Sequence, residues 1–127
     1  MSAQALTAIG ERPEQLLFDE LNTLLSKYLD APHLDQIFQA YQYGAEHHNG
    51  QFRKTGEPYI CHPLAVAISL AKMRMDVHGI MAAILHDLIE DTDVSKENIL
   101  ELFGEDVAEL VDGVTKLTQL KCKTKTE

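Results

Sequence analysis

The sequence predicts an all-α domain, a bundle of about six helices. Leucine, isoleucine, phenylalanine and valine recur at three- and four-residue spacing, and no stretch shows the strict alternation of a half-buried strand. Punctuation agrees: Pro32, Asn49-Gly50 and Gly104 fall where one periodic stretch gives way to the next.

Residues 1–12 are small and polar without a period and are expected to form a flexible tail, leaving 13–127 to the helical domain. Pro13 suits the first turn of a helix, with Glu14 beside it at the positive end of the dipole. Leu16, Leu17, Leu21, Leu24, Leu25 and Leu29 form its apolar face, and Asp30-Ala31-Pro32 stops it. A second helix is predicted from about His33 to His48, with Leu34, Ile37, Phe38, Tyr41 and Ala45 inward. Asn49-Gly50 ends it. The segment from Gln51 to His62, which holds Gly56 and Pro58, is the least helical part of the chain. A long irregular segment between strong helices tends to carry function. Pro63 opens a third helix running to about Met75, with Leu64, Ala67, Ile68 and Ala71 inward. Asp76 caps a central helix, and Ser95 caps a short one bearing Ile99, Leu100, Leu102 and Phe103. After Gly104 a last helix carries Val107, Leu110, Val111, Val114 and Leu117, then runs without a stop into a lysine-rich ending.

The central helix holds the unusual chemistry. Met81 to Thr92 begins as a helix fit for a core, then places His86, Asp87, Glu90 and Asp91 within six residues. On a continuous helix these four side chains would fill one arc of about 140°. Ile84, Leu85, Leu88 and Ile89 occupy most of the remainder. Three carboxylates and an imidazole so close together repel or lose charge unless something positive sits among them. A divalent cation satisfies that need.

Composition bounds the rest. A chain of 127 residues with 45% apolar residues can build one hydrophobic core. Its net charge of −9 argues against a general nucleic-acid-binding surface while leaving room for a local basic pocket. Cys61 and Cys122 have neither zinc-ligand spacing nor a disulfide framework, which predicts a reducing, cytoplasmic setting. No apolar run approaches the length of a membrane span or the core of a signal peptide.

Four stretches in order carry a resemblance. They are Gln51-Phe-Arg-Lys-Thr-Gly-Glu-Pro-Tyr-Ile-Cys-His-Pro63, Ala83-Ile-Leu-His-Asp-Leu-Ile-Glu-Asp-Thr92, Leu102-Phe-Gly104 and Val111-Asp-Gly-Val-Thr-Lys-Leu117. Together they closely resemble the HD-type hydrolase domain of the RelA/SpoT homologue family of alarmone synthetases and hydrolases. The resemblance implies removal of the 3′-pyrophosphate from guanosine tetra- or pentaphosphate, giving GDP or GTP. By position, His62, His86 and Asp87 match metal ligands, with Mn²⁺ as the ion, and Glu90 and Asp91 match the pair that serves the attacking water. Arg53, Lys54 and Thr55 match the nucleotide-contacting stretch, arginine against guanine and lysine near phosphate. The family's fourth ligand is an aspartate farther on than the 40 residues that follow Asp87 here, so the resemblance implies a domain cut short of it. The intact His-Asp and Glu-Asp pairs favour a hydrolase-competent parent over a synthetase-only one.

Chemistry read from the residues runs parallel. Mixed imidazole and carboxylate ligands suit Mn²⁺ and other first-row divalents without choosing among them. Arginine stacks on purines, and lysine meets phosphate as a point charge. Two alternatives stay open: another HD-type nucleotide phosphohydrolase, and a non-catalytic interaction module that dimerises through the cut edge. His47-His48 read as cations at a helix end, Cys61 as a packed thiol, and the acidic run from Glu105 to Asp112 as a solvated face.

Overall fold

The computed structural model describes residues 13–52 and 56–114. Within them α1 spans Pro13–Leu25, α2 Ala31–His47, α3 Cys61–Lys72, α4 Val77–Leu85, α5 Leu88–Asp91 and α6 Lys96–Phe103. Residues 105–114 are helical as well and form α7. No strand occurs among the described residues beyond one isolated antiparallel bridge, Phe52 to Pro58. The all-α class predicted from periodicity holds.

α4 is the axis of the bundle. Ile80, Met81, Ala82, Ala83, Ile84 and Leu85 are all buried, so beyond its first turn this helix has no solvent face. It packs on α2 and α3, and α1 lies mainly against α3. Gly44 lets α2 come close, since a Cβ there would meet Ile60 Cδ1 at 3.1 Å. Asp76 caps α4 by accepting from the Gly79 N–H at 2.9 Å. Ser95 and Asn98 form a reciprocal capping box on α6, and Gly104, at φ 97°, ends it in a conformation that favours glycine.

Several expectations need correcting. The central helix is not continuous: a turn at His86-Asp87 separates α4 from α5. α1 ends at Leu25 and leaves Leu29 in the connection, half-buried. α2 begins two residues earlier than predicted, at Ala31, with Pro32 tolerated in its first turn. α3 starts at Cys61, ahead of Pro63, and stops at Lys72. Phe38 is 42% exposed, and Phe18, absent from the predicted apolar face, takes the inward place, stacked on Tyr41 at 4.4 Å. The expected tail 1–12, Leu117 and the lysine-rich ending lie outside the described residues. No helix among the described residues is long and apolar enough to cross a membrane.

Candidate functional site

The site forms where α4 runs out of apolar residues. Leu85 ends the buried helix, His86 and Asp87 make the turn, and Leu88, fully buried, re-anchors the chain so that α5 presents Glu90 and Asp91 to solvent. The turn brings the carboxylates together. One oxygen from each of Asp87, Glu90 and Asp91 lies within 4.8 Å of the others. Like charges at that distance repel by about 1 to 3 kcal/mol per pair, depending on how much water screens them.

His86 is oriented from behind. Its Nδ1 lies 2.7 Å from the Ala83 carbonyl, which only accepts, so Nδ1 carries a proton. Nε2 then faces Asp87 Oδ1 at 3.0 Å, with the two side chains only 16% and 14% exposed. Burial pushes the His86 pKa down, but hydrogen bonding and charge attraction from Asp87, with smaller help from the Ala83 carbonyl and Glu90, outweigh it and hold the ring above its ordinary value. Burial likewise pushes Asp87 up, and His86, then His62 and His48, more than reverse it, holding the carboxyl below its ordinary value. His62, half-buried in the first turn of α3, thus lies within electrostatic reach of Asp87.

The three converging carboxylates fit a divalent cation; of the predicted ligands only Asp87 is in that group, and His62 and His86 are not. A carbonyl holding one imidazole nitrogen, as Ala83 holds Nδ1 of His86, is the usual support behind a metal-binding histidine, whose other nitrogen meets the ion; here that nitrogen faces the Asp87 carboxylate. Three converging carboxylates supply hard oxygen donors and a charge that an ion would offset. The arc predicted on a straight helix is replaced by a turn, yet the acidic groups still converge. Arg53, Lys54 and Thr55 lie outside the described residues.

His48 belongs to this neighbourhood, which its reading as a helix-end cation did not foresee. It is 2% exposed, with Nδ1 2.8 Å from Gln51 Oε1 and its ring stacked on Tyr59 at 4.8 Å. Its Nε2 finds no hydrogen-bond partner among the described residues. Tyr59 donates to Asp91 Oδ2 at 2.7 Å, and Gln51 Nε2 donates to the Asp91 carbonyl at 3.0 Å. A cavity of about 290 Å³ borders His48, Gln51 and Phe52, but none of the three acidic residues lines it. Cys61, 3% exposed, is packed as expected. His33, paired with Asp30 at 2.9 Å, and His78, 3.8 Å from Asp106, are not among the residues gathered here.

The sequence profile of the HD domain matches residues 40–127. The chain is 50% identical over 111 residues to the guanosine-3′,5′-bis(diphosphate) 3′-pyrophosphohydrolase of Vibrio cholerae, covering 87% of this chain and 16% of that protein. It is 49% identical over the same length to the bifunctional (p)ppGpp synthase/hydrolase SpoT of Escherichia coli, again spanning 16% of it. A solved structure described as a metazoan ortholog of SpoT that hydrolyzes ppGpp superposes with a TM-score of 0.60 at 38% identity. That match covers 69% of this chain and 49% of the other. The chain therefore spans about one sixth of the curated relatives' length, and the match takes in the irregular segment, the His-Asp turn and α5 through α7. With its His-Asp turn at the end of a buried helix in an all-α bundle, the chain belongs to the HD-domain family.

Proposed function

We propose that this site hydrolyses guanosine tetra- or pentaphosphate at the 3′-pyrophosphate, releasing pyrophosphate and GDP or GTP. The observation that carries the reading is the convergence of Asp87, Glu90 and Asp91 beside the oriented His86. The names of relatives at about half identity support this choice of substrate.

His62, His86 and Asp87 would hold the ion, for which Mn²⁺ is the choice. When bound, such an ion offsets negative charge on the pyrophosphate and lowers the pKa of water. Glu90, exposed on α5 and close to Asp87, takes the proton of the attacking water, while Asp91 orients that water by accepting its second hydrogen bond. Water adds to the phosphorus next to the ribose, the bond from that phosphorus to the 3′ oxygen breaks, and the 3′ oxygen leaves with a proton as a hydroxyl. Arg53 stacks on guanine, with Lys54 and Thr55 at the phosphates.

Pyrophosphate release from guanosine tetraphosphate with added Mn²⁺ tests this. His86→Ala, Asp87→Ala and Glu90→Gln should each abolish release while the helical circular dichroism stays nearly unchanged. Wild-type rates in any of the three would refute the roles given.

A further inference from the structure

We propose that Tyr59 and Gln51, both keyed to the buried ring of His48, are positioning residues for Asp91. The inference rests on the reading of Asp91 as a residue that orients the attacking water.

Asp91 needs such support. It is exposed and ends α5, a helix of four residues, too short to hold its own conformation. An exposed aspartate there would sample several rotamers. Instead it is gripped at two points. The Tyr59 hydroxyl donates to Oδ2 at 2.7 Å, a short charge-assisted bond that fixes the carboxylate plane. The Gln51 amide donates to the Asp91 carbonyl at 3.0 Å and fixes the backbone beneath it.

Both arms lead back to one residue. Gln51 uses its NH₂ on Asp91, so its Oε1 must accept from His48 Nδ1–H, and that bond at 2.8 Å sets which way the amide faces. Tyr59 lies against the same imidazole, nearly parallel at 21°. The backbone locks the two arms side by side: Tyr59 N–H donates to the Gln51 carbonyl at 2.9 Å, and Gln51 N–H to the His48 carbonyl at 2.9 Å. The isolated antiparallel bridge between Phe52 and Pro58 lies beside these bonds. With His48 only 2% exposed, the bracket is rooted in the core, while its two bonds to Asp91 lie at the surface. One Asp91 oxygen is held by Tyr59, and the carboxylate keeps acceptor capacity for a water shared with Asp87 and Glu90.

The test measures the Asp91 rotamer directly, by three-bond couplings and the carboxyl carbon shift in the whole chain. Wild type should show one dominant χ1 rotamer. Tyr59→Phe, which keeps the ring stack and loses only the hydroxyl, should give averaged couplings with unchanged circular dichroism. Gln51→Met should loosen the Asp91 amide, seen as faster hydrogen exchange there. In pyrophosphate release, Tyr59→Phe should lower kcat about tenfold with KM within about twofold, the pattern of lost transition-state orientation. An Asp91 rotamer as fixed in Tyr59→Phe as in wild type overturns the inference, whatever the rate. Averaged couplings in the variant beside a chain that releases no pyrophosphate even when carried in the frame of a full-length relative uphold the bracket and count against the hydrolase reading instead.

Discussion

Metal binding at this site should release a proton, and its strength should climb with pH. His86 is bonded at both nitrogens, to the Ala83 carbonyl at 2.7 Å and to Asp87 at 3.0 Å. A carbonyl accepts only, and Asp87, held below its ordinary pKa, is a carboxylate at neutral pH, so both contacts favour the doubly protonated ring. If His86 is a ligand as proposed, a cation takes its Nε2 lone pair and displaces one proton wherever the pH lies below the raised His86 pKa. One proton is worth about 1.4 kcal/mol per pH unit, so the apparent Kd for Mn²⁺ should fall about tenfold per unit and level off above that pKa. Metal-free stability runs the other way. A raised imidazole pKa contributes fully below the ordinary histidine range of about 6.5 and is lost as pH rises through the raised value. Heating curves with and without Mn²⁺ should thus diverge as pH increases. Calorimetric titration near pH 6, repeated in buffers of different ionisation enthalpy, counts the protons. A count near one supports the geometry. A count near zero with undiminished affinity would show that Nε2 is not the ligand atom.

Two further predictions concern the scaffold. Leu85→Ala empties a fully buried position at the end of α4, directly behind the His-Asp turn, and should cost about 2 to 5 kcal/mol in chemical denaturation. A loss below 1 kcal/mol would mean that α4 is not the packed axis described. The Cys61 thiol is pushed up to about 11 by burial, then by Glu57 and Glu14. At pH 8 only about a thousandth of it is thiolate, so peptide mapping after brief alkylation should find Cys61 unmodified in the folded chain and modified in denaturant. Rapid labelling without denaturant would contradict its burial.

The fold was legible because helical periodicity and capping chemistry act locally. Asp76, Ser95 and Gly104 mark helix ends by bonds or dihedrals within three or four residues, and all three appear where the chain order puts them. The acidic site was legible for the same reason: Asp87, Glu90 and Asp91 are near neighbours in sequence, so even the unforeseen turn at His86-Asp87 left them converging. Phe38 and Phe18 were misjudged because both lie on the edge of an apolar stripe, and only packing against Tyr41 decides which turns inward. His48 does cap the end of α2 as expected, but its burial was missed for a deeper reason. Its surroundings are made by Gln51 and Tyr59, and their hold on Asp91 spans 40 and 32 residues. No periodicity encodes a contact of that range. The signal available was chemical: a histidine and a glutamine three apart across a helix end, next to an irregular segment rich in polar groups.

The most direct test of the central claim places this chain in a complete frame. In the Vibrio cholerae pyrophosphohydrolase, the 111-residue segment to which the chain is 50% identical would be replaced by the chain's own residues. Products from guanosine tetraphosphate and Mn²⁺ would then be separated by chromatography. The account predicts one pyrophosphate per GDP, and loss of both in the Glu90→Gln version. A folded chimera that releases no pyrophosphate, or one that yields orthophosphate instead, would contradict it.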